Sequence, residues 1–432
     1  MPSSSTTATS RSSPPDVAAR RALVVGLARS GQAAARALAR RGVAVRGYDR
    51  DEQLELGRLR QAGVEVVLGA EDPALLEGVD LVVKSPGVPA ETALVTAARE
   101  RGVPVWSEVE LGARLVPHPM IGVTGTNGKT TTAELLGSMF ERAGRPGVVA
   151  GNVGRPLTAL AEGELAKDVW VVCELSSFQL EDVETLRPRV GVLLNLEPDH
   201  LDRHGTFEAY RAAKLRLFEN QGADDVAVVP RGFGRIPGSA RRIEFDRDDP
   251  LPAEPVLRGA HNRENAVAAA AAARAAGLPV EAIAAALHAF TGVAHRLELV
   301  REVGGVGYVN DSKATNAAAA RRALAAYSTE PVHVILGGSL KGESFQALAD
   351  SIGANVRRAY LIGEAAEAIA ADLARAGVSH ERSGDLETAV RAAARAARPG
   401  DVVLLSPACA SFDQFRDYED RGERFRALVE EL

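Results

Sequence analysis

The chain has 432 residues, of which 46% are hydrophobic and 25% charged, and its formal net charge is −6. At roughly 100–200 residues per domain, this length predicts two to four domains, and the ordinary composition excludes a chain that is disordered throughout. The acidic balance and the scattered basic residues argue against a nucleic-acid partner. No apolar run reaches the ~18 residues that span a bilayer, so we expect no membrane insertion.

The two cysteines, Cys173 and Cys409, have no zinc-site spacing and are too few for a secreted disulfide scaffold. They favour a reducing compartment, and we expect a cytoplasmic protein. Residues 1–16 are rich in Ser and Thr and contain no apolar core of the kind that a secretory signal has. We predict a disordered tail over 1–16.

Beyond the tail, three stretches each alternate short apolar runs with Ala- and Leu-rich helical patterns. This alternation predicts parallel sheets covered by helices. In the first stretch the predicted strands are 22–27, 43–49, 64–69, 81–87 and 103–107, with a helix over 32–42. In the second they are 120–125, 168–177, 189–196, 224–230 and 241–246, followed by a helix over 261–279. In the third they are 306–312, 332–338, 359–363 and 401–408.

In the first stretch, 24–31 reads VVGLARSG, which resembles a dinucleotide-binding turn but has Ala28 at the middle glycine position. Asp49 ends the second predicted strand, where an acid can hold a ribose hydroxyl. The segment 84–87, KSPG, ends a later strand and forms either the facing wall of a nucleotide site or an ordinary Pro-Gly turn. A nicotinamide-dependent dehydrogenase is therefore one competing hypothesis, which the missing glycine weakens.

The strongest chemical signal is the run GVTGTNGKTT at 122–131, which lies between an apolar strand and a helix. Glycines let successive backbone N–H groups converge on phosphate oxygens, and a helix N-terminus adds further N–H groups. Lys129 would neutralise the β- and γ-phosphates, and Thr130 would bind Mg²⁺. The strict phosphate-loop pattern needs glycine at position 123, where this chain has Val123. The alternative interpretation of 122–131 is a flexible loop between a strand and a helix that binds no phosphate.

Polar residues follow the next two apolar strands. Glu174 ends one of them, and Asn195, Asp199 and His200 follow the other. Open α/β sheets place their sites at the carboxyl ends of strands. Mg²⁺ prefers oxygen ligands, which suits Glu174 better than His200. The alternative for both residues is a helix cap or a solvated turn.

Lys214 lies farther along the chain in a segment with helical periodicity. This periodicity alone favours a solvent-facing side chain.

Nine motifs occur in one order along the chain: GVTGTNGKTTT, CELSSFQLE, NLEPDHLDRHG, YRAAKLRLFEN, AHNRENAVAA, AHRLE, NDSKATN, LGGSLKG and SPACASFDQF. Together they resemble the Mur ligases of peptidoglycan synthesis, from about residue 20 to the end. The phosphate loop is shared with folylpolyglutamate synthases, whereas NDSKATN and SPACASFDQF resemble the members that add D-glutamate. The resemblance implies three α/β domains: a Rossmann-like UDP-binding domain at 17–107, a central P-loop ATPase domain with a mostly parallel sheet at 108–292, and a Rossmann-like amino-acid-binding domain at 293–432.

The resemblance also implies an ATP-dependent ligase that adds D-glutamate to UDP-N-acetylmuramoyl-L-alanine and releases ADP and phosphate. A carboxylate repels nucleophiles and has a poor leaving group, so it first takes the γ-phosphoryl group of ATP. The amine then displaces phosphate from the acyl phosphate, and local positive charge is needed where the anions meet. ATP and two Mg²⁺ are the implied cofactors, the two small molecules are the implied partners, and we expect a monomer.

The site residues implied by the resemblance fall into five groups. The catalytic group is Lys129, His200, Lys214 and Arg296 beside His295. Those implied to bind ATP are Gly125, Thr126, Asn127, Gly128, Lys129, Thr130, Thr131, Asn262, Asn265, Arg296, Asp311 and Lys313. The implied metal ligands are Thr130, Glu174, His200 and Lys214. Those implied to bind the UDP substrate are Ala28, Arg29, Asp49, Gly87, Asn152 and Ser176. Those implied to bind D-glutamate are Thr315, Lys341, Ser411, Phe412 and Tyr418.

Three details of the carried-over site bear on its chemistry. Lys214 is carbamylated in relatives, which turns an ammonium into a carboxylate-like metal ligand. Tyr418 stands where the family pattern has phenylalanine, so the pocket would gain a hydroxyl. Lys84 stands where a small residue is more usual. Two further hypotheses compete with the reading as a whole: a sister ligase with another amino acid or a folate substrate, and a P-loop switch that binds partners without ligating them.

Overall fold

The structure is a computed structural model that describes residues 17–257, 259–340 and 344–432. The tail predicted at 1–16 lies outside these residues. The chain divides into two compact units. The first consists of the chain up to Ala253 together with Glu264–Leu287, and the second of Glu254–Arg263 and His288–Leu432. Three sheets are present, as the alternating pattern predicts, and the finer domain boundaries at 107/108 and 292/293 stay a prediction.

The first sheet is parallel throughout and has the strand order β3-β2-β1-β4-β5. Its strands are β1 (Arg21–Val25), β2 (Ala44–Asp49), β3 (Glu65–Leu68), β4 (Leu81–Lys84) and β5 (Val105–Ser107). Its helices are α1 (Arg29–Ala39), α2 (Gly57–Gln61), α3 (Ala93–Glu100) and α4 (Glu108–Leu115). A short 3₁₀ helix spans Pro73–Leu76. All four residues of β4 are buried, because both faces of a parallel sheet are covered.

The second sheet is also parallel and has the order β11-β10-β9-β6-β8-β7. Its strands are β6 (Met120–Thr124), β7 (Gly147–Gly151), β8 (Trp170–Glu174), β9 (Val190–Leu193), β10 (Val226–Pro230) and β11 (Arg241–Phe245). The helices along this part of the chain are α5 (Lys129–Arg142), α6 (Ser177–Leu180), α7 (Leu201–His204), α8 (Phe207–Leu215), α9 (Ala260–Ala275) and α10 (Val280–Ala289). Two 3₁₀ helices span Leu157–Glu162 and Arg216–Phe218. The carboxyl ends of β6, β8 and β9 are neighbours, which places the loops after them at one edge.

The third sheet has the order β12-β13-β17-β14-β15-β16, and β12 is its one antiparallel strand. Its strands are β12 (Glu298–Val303), β13 (Val306–Asn310), β14 (Val332–Gly337), β15 (Val356–Ile362), β16 (His380–Gly384) and β17 (Val402–Leu405). Its helices are α11 (Ala317–Ala326), α12 (Gln346–Ser351), α13 (Ala366–Arg375), α14 (Leu386–Ala396) and α15 (Tyr418–Glu430). Apolar side chains fill both faces of this sheet.

Every strand predicted from the sequence is present, but three further strands were missed. They are β7, β12 and β16, and each forms the edge of its sheet. β12 and β16 carry a weak apolar signal, because much of an edge strand is exposed to solvent. β7 has the apolar sequence GVVAG, and this explanation does not apply to it. The Ala-rich helix predicted at 261–279 is α9, at Ala260–Ala275, and most of its central alanines are fully buried.

Within the described residues, no helix combines the length and the apolar character that crossing a bilayer requires.

Candidate active site

The predicted phosphate loop joins the end of β6 to the start of α5. Gly128 has a left-handed backbone, with φ of 84°, and a Cβ at this position would lie 2.1 Å from Oδ1 of Asn265. Only glycine therefore fits here. The Lys129 ammonium folds back over the loop and donates to the carbonyl oxygens of Gly125 and Thr126, each at 2.9 Å. The loop thus carries a cation over a helix N-terminus, the arrangement that binds phosphate.

The valine that departs from the strict loop pattern has a structural explanation. Val123 lies inside β6, is fully buried, and pairs with Glu174 on one side and Val192 on the other. The backbone turn begins two residues later at Gly125, whose φ of 153° lies in the region that favours glycine. Position 123 is therefore part of the core strand, where a β-branched side chain fits well.

Asn195, at the end of the neighbouring strand β9, holds the loop in place. Its Oδ1 accepts from the amide of Asn127 at 2.8 Å, and its Nδ2 donates to the Asn127 carbonyl at 3.2 Å. Its own carbonyl accepts from the amide of Thr126 at 3.1 Å. These three hydrogen bonds fix the backbone of the loop before any ligand arrives, which lowers the cost of ordering it.

Glu174 ends β8, the other neighbour of β6, and its carboxylate is 2% exposed. Its Oε1 accepts from Nδ2 of Asn152 at 3.1 Å, while its Oε2 is buried without a hydrogen-bond partner. A buried carboxylate oxygen without a partner is costly unless a cation or a donor completes it. Glu174 is therefore a candidate metal ligand, and Asn152 orients it.

Lys214 lies on α8 and is buried, in contrast to the solvent-facing position that helical periodicity favours. Its side chain is 2% exposed, and its ammonium donates to the Gly125 carbonyl at 2.8 Å. The pKa of Lys214 is lowered to about 6, chiefly by burial and next by the charge of Lys129, while the charges of Asp199 and Glu174 partly oppose this shift. These four residues are thus within electrostatic range of one another, and the amine of Lys214 is mostly neutral at pH 7.

His200 precedes the one-turn helix α7 and has a left-handed backbone, with φ of 53°. About half of its side chain is exposed, and its ring lies 4.8 Å from the ring of Phe178, centroid to centroid. Thr130, also a predicted metal ligand, is buried in the first turn of α5. Across the described ranges, no group of three His, Cys, Asp or Glu side chains converges on one metal position. A complete ligand set would therefore need an oxygen group from Lys214 or from a substrate.

The predicted uridine residues lie on the first sheet, around the turn between β1 and α1. A Cβ at Gly31 would lie 1.8 Å from the Gly26 carbonyl, so this turn needs glycine. Ser85 Oγ donates to that same carbonyl at 2.7 Å and ties the 85–88 turn, which carries Gly87, to the β1–α1 turn. Asp49, at the end of β2, accepts from the amide of Leu27 at 2.6 Å.

The remaining predicted uridine-substrate residues lie nearby in the same unit. Ala28 is the N-cap of α1, and Arg29 donates to the Gly154 carbonyl at 2.9 Å. Ser176 caps α6 through a reciprocal pair of hydrogen bonds with Gln179. A cavity of about 410 Å³ lies beside Arg29 and is also lined by Arg36 and Arg58. Glu162 also lines this cavity and pairs with Arg36 at 3.0 Å, so the lining carries charges of both signs.

In the second unit, Asp311 ends up buried next to Arg296. The Asp311 carboxylate accepts from Ser406 Oγ at 2.8 Å and from the amide of Leu297 at 3.2 Å. Burial raises the pKa of Asp311 to about 7, although the charge of Arg296 opposes this. The Nε of Arg296 is buried without a hydrogen-bond partner. This unit therefore holds a buried acid of raised pKa within electrostatic range of a guanidinium.

Other predicted nucleotide residues of this unit are spread over its loops. The amide of Lys313 donates to the His295 carbonyl at 3.0 Å, which joins the segment after β13 to the segment that precedes β12. Lys313 Nζ lies 5.4 Å from the ring centre of Tyr418. Asn262 is buried in the first turn of α9, next to His261.

Two of the predicted D-glutamate residues, Thr315 and Tyr418, lie beside Lys313, which is predicted to bind ATP. The Thr315 amide donates to the Lys313 carbonyl at 2.9 Å, and the Lys313 Nζ lies near the Tyr418 ring. Ser411 is buried, whereas Phe412 is 71% exposed. The Tyr418 hydroxyl donates to Glu419 at 3.0 Å, a residue on its own helix. Lys341 lies outside the described residues.

Sequence reasoning missed Arg421, which is fully buried on α15. Its guanidinium donates to the carbonyls of Ser312, Cys409 and Ala410, and to Ser312 Oγ. Burial lowers the pKa of Arg421 to about 10. No local pattern signals this role, because the acceptors are backbone groups of loops about 10 to 110 residues away in the sequence.

The fold and the first-unit site together define a class. A parallel sheet with a glycine-rich loop before a helix, a lysine over that loop, and a buried acid on the adjacent strand characterise a phosphate-loop nucleotide-binding protein. The site also contains the buried, mostly neutral amine of Lys214 beside this loop, which phosphate binding alone does not require.

Comparison with known proteins narrows this class. Three family models match: the Mur ligase MurD-like N-terminal domain at residues 20–107, the Mur ligase middle domain at 123–233, and the Mur ligase glutamate ligase domain at 295–409. The chain belongs to the Mur ligase family.

Two relatives cover nearly all of the chain. A UDP-N-acetylmuramoylalanine–D-glutamate ligase of Anaeromyxobacter dehalogenans is 46% identical over 96% of this chain and 99% of its own. The enzyme of the same name from Pelotomaculum thermopropionicum is 43% identical, with coverage of 96% and 98%.

Solved structures with lower identity share the fold. The UDP-N-acetylmuramate-alanine ligase of Thermotoga maritima aligns over 96% of this chain and 99% of its own, with a TM-score of 0.58 and 18% identity. MurF from Acinetobacter baumannii aligns over 95% and 93%, with a TM-score of 0.56 and 18% identity. The predicted α/β fold is therefore confirmed.

Proposed function

We propose that this chain is the ATP-dependent ligase that joins D-glutamate to UDP-N-acetylmuramoyl-L-alanine through an acyl phosphate, in peptidoglycan precursor synthesis. Relatives that carry the corresponding name are 41–46% identical over 95–96% of the chain. Identity of this degree over the whole length supports a shared substrate pair, since it includes the segments that resemble a D-glutamate pocket.

The observation that carries the proposal is the grouping of Lys129, Glu174 and Lys214 at the carboxyl edge of the second sheet. The ammonium of Lys129 and the loop backbone suit the phosphates of ATP. Glu174 offers a carboxylate oxygen that is buried without a partner, and Lys214 offers a buried amine of lowered pKa. A nucleotide switch would need the first of these features, but not the buried amine.

The chain's own groups account for the first chemical step in electrostatic terms. The substrate carboxylate and the terminal phosphate of ATP repel each other as they approach. The Lys129 ammonium and the N-terminal end of α5 offset this repulsion, because both place positive charge on the phosphate side. Asn195 keeps the loop in that shape, so little reorganisation is needed when ATP binds.

Mg²⁺ fits the residues present, because the unpartnered Glu174 Oε2 is a hard oxygen donor in a buried position. We expect Thr130 and Glu174 to hold one ion, and His200 and a modified Lys214 to hold a second. Mg²⁺ would supply positive charge to the phosphate oxygens as they leave ADP.

The burial of Lys214 gives a reason for carbamylation. Attack of a neutral amine on CO₂ forms a nitrogen–carbon bond and releases one proton, leaving a carbamate anion. An ammonium has no lone pair for this attack, so a pKa near 6 favours the reaction. The carbamate would supply a carboxylate-like oxygen ligand for a metal ion, within electrostatic range of Lys129.

The remaining predicted roles stay proposals. Ala28, Arg29, Asp49, Gly87, Asn152 and Ser176 are proposed to contact the UDP substrate. Asn262, Asn265, Arg296, Asp311 and Lys313 are proposed to serve ATP. Thr315, Lys341, Ser411, Phe412 and Tyr418 are proposed to form the D-glutamate pocket. We also propose that the protein is a cytoplasmic monomer.

One experiment separates this proposal from its competitors. The purified chain is incubated with ATP, Mg²⁺, UDP-N-acetylmuramoyl-L-alanine and a panel of amino acids, and the products are weighed by mass spectrometry. The proposal predicts one new product, heavier by one glutamate residue, with D-glutamate only. A product with another amino acid would indicate a sister ligase, and nucleotide hydrolysis without any extended product would indicate a switch.

A further inference from the structure

Arg203 on α7 connects two loops that belong to different sheets of the first unit. Its Nη1 donates to the Pro86 carbonyl and its Nη2 to the Val88 carbonyl, both at 2.8 Å. These carbonyls flank Gly87 in the turn after β4. A planar guanidinium holds two such acceptors in one fixed plane, which the freely rotating ammonium of a lysine does not do. The bridge therefore fixes the distance and the angle between α7 and the 85–88 turn.

The segment around α7 has little internal structure to fix it. The helix has four residues, it begins after His200 in a left-handed conformation, and it ends at Gly205 with φ of 74°. A left-handed backbone is unfavourable for a residue that has a Cβ, so contacts outside the segment must hold His200 in place. Two side chains of α7 provide them: Arg203, and His204, whose Nε2 lies 3.0 Å from Ser177 Oγ.

Glu181 joins both of these side chains to the first sheet. Its Oε2 lies 3.6 Å from Nη2 of Arg203 and 3.3 Å from Nζ of Lys84, and its Oε1 lies 3.4 Å from Nδ1 of His204. Lys84 is fully buried and lies 3.0 Å from Asp182 as well. Lys84 is the last residue of β4, and its Nζ also donates to the Val88 carbonyl at 3.4 Å, so Lys84 and Arg203 both hold the 85–88 turn, and of these two only Arg203 holds the Pro86 carbonyl.

The ring of Phe178 contacts the side chains of Arg203, His200 and His204. The guanidinium carbon of Arg203 lies 4.1 Å from the centre of this ring, and the rings of His200 and His204 lie 4.8 and 5.3 Å from it. A rotation of Arg203 would therefore disturb the surface on which His200 rests. Arg203 and His200 both pack against the ring of Phe178, so a movement of one side chain affects the packing of the other.

We propose that Arg203 is a positioning residue that couples binding of the uridine nucleotide at the 85–88 turn to the orientation of His200. The inference rests on the proposed function, which assigns the nucleotide to Gly87 and a metal ion to His200. When the ligand orders the turn, the two carbonyls hold Arg203, and Arg203 holds α7. Coupling of this kind is reciprocal, so an ion at His200 also tightens nucleotide binding.

The first test measures hydrogen exchange in the peptide that covers 199–205, in the full chain without ATP or metal. UDP-N-acetylmuramoyl-L-alanine at saturation should slow exchange of this peptide in the wild type by about fivefold or more, the lower range of measured couplings. Arg203→Met keeps the length of the side chain but removes its donors, and it should lose this slowing. An undiminished slowing in Arg203→Met overturns the proposal.

Arg99→Met is the matched control. Arg99 also joins the first sheet to the chain around α6, since it lies 2.7 Å from Asp182 and donates to the Ala90 carbonyl at 3.2 Å. No contact joins it to the 199–205 segment within the described residues. The proposal predicts that Arg99→Met keeps the ligand-induced slowing, and its loss in both variants would show a general loosening and overturn the specific role of Arg203.

A second readout separates positioning from simple destabilisation. In steady-state assays Arg203→Met should raise the KM for the uridine substrate and the Mg²⁺ concentration for half-maximal rate, while the KM for D-glutamate stays within about twofold. Arg203→Lys keeps the charge and can donate from a single nitrogen without the planar fork, so it should restore part of the effect. Should Arg203→Met fail to fold, Arg203→Gln carries the test, because it stays polar but lacks the charge and the two-nitrogen fork; full slowing of exchange in that variant refutes the proposal.

The two proposals fail in different ways. If the wild type makes no D-glutamate product, the proposed function is wrong, whatever the exchange data show. If the wild type makes the product and binds the uridine substrate, but Arg203→Met exchanges like the wild type, only the coupling is wrong.

Discussion

Lys214 offers the sharpest prediction, because its position explains a chemical property that can be measured. With a pKa of about 6, roughly 99% of the Lys214 amine is neutral at pH 8, whereas an ordinary lysine at 10.5 would be roughly 0.3% neutral. Burial therefore raises the reactive fraction by roughly 300-fold. We predict that Lys214 carries CO₂ as a carbamate in the working enzyme, and that removing CO₂ slows the ligation reversibly.

The assay follows product formation in CO₂-depleted buffer and again after bicarbonate is added. Lys214→Ala should lower the rate by roughly 10²–10³-fold, the range seen when one preorganised hydrogen-bonding group of an active site is removed. Formate or acetate should restore part of this rate, because the small carboxylate enters the space left by the side chain. With ¹³C-bicarbonate, the wild type should show a carbamate carbon signal that Lys214→Ala lacks.

Lys167 provides the control, since it is an exposed lysine of the same unit. Lys167→Ala should keep both the activity and the bicarbonate response of the wild type. The reasoning is refuted if Lys214→Ala keeps full activity without added carboxylate, or if the wild type shows neither a carbamate signal nor a response to CO₂ removal.

Three further changes test other parts of the account. Lys129→Ala should lower kcat by at least ~10²-fold, because the charge over the phosphates is lost, and wild-type turnover measured by product mass would remove Lys129 from the site. The folded pKa of Asp311, about 7, lies above its ordinary 3.8, so the unfolded chain ionises first and the stability contribution of the carboxyl falls as pH rises from about 4 to 7. The free energy of unfolding of Asp311→Asn, taken relative to the wild type, should therefore be higher at pH 8 than at pH 4, by up to about 4 kcal/mol in urea unfolding. A difference between variant and wild type that does not change with pH would contradict the buried acid. Tyr418→Phe should change the KM for D-glutamate by less than about threefold, since the hydroxyl donates to Glu419 rather than into the pocket; a tenfold rise would place the hydroxyl on the substrate.

The sequence predicted the three sheets because buried parallel strands are continuous apolar runs, such as MIGVT in β6. It missed β12 and β16 for the opposite reason. The sequences of these edge strands, ELVREV and HERSG, are rich in charged or polar residues, and much of their surface is exposed. The helix bounds differ from the predictions by a few residues, as at α1, where the helix begins at Arg29 rather than 32.

Some residues of the candidate site could be predicted from a contiguous motif, whereas others depend on contacts with distant parts of the chain. Lys129 could be found from the residues alone, because the glycines, the lysine and the helix start are contiguous. Lys214 could not, since its burial depends on the Gly125 carbonyl, 89 residues earlier in the chain. Only the resemblance to a family singled it out. Neither the local sequence pattern nor the family resemblance singled out Arg203, because both of its acceptors are backbone carbonyls more than 110 residues away.

The central claim is that the loop around Lys129 seats ATP so that its γ-phosphoryl group passes to the carboxylate of a uridine-linked substrate. The most direct test labels that carboxylate with ¹⁸O, adds ATP, Mg²⁺ and D-glutamate, and weighs the phosphate that is released. An acyl phosphate transfers one carboxylate oxygen to phosphate, so the account predicts one ¹⁸O atom in each phosphate formed during ligation. Phosphate without ¹⁸O, released while the extended product accumulates, would contradict it.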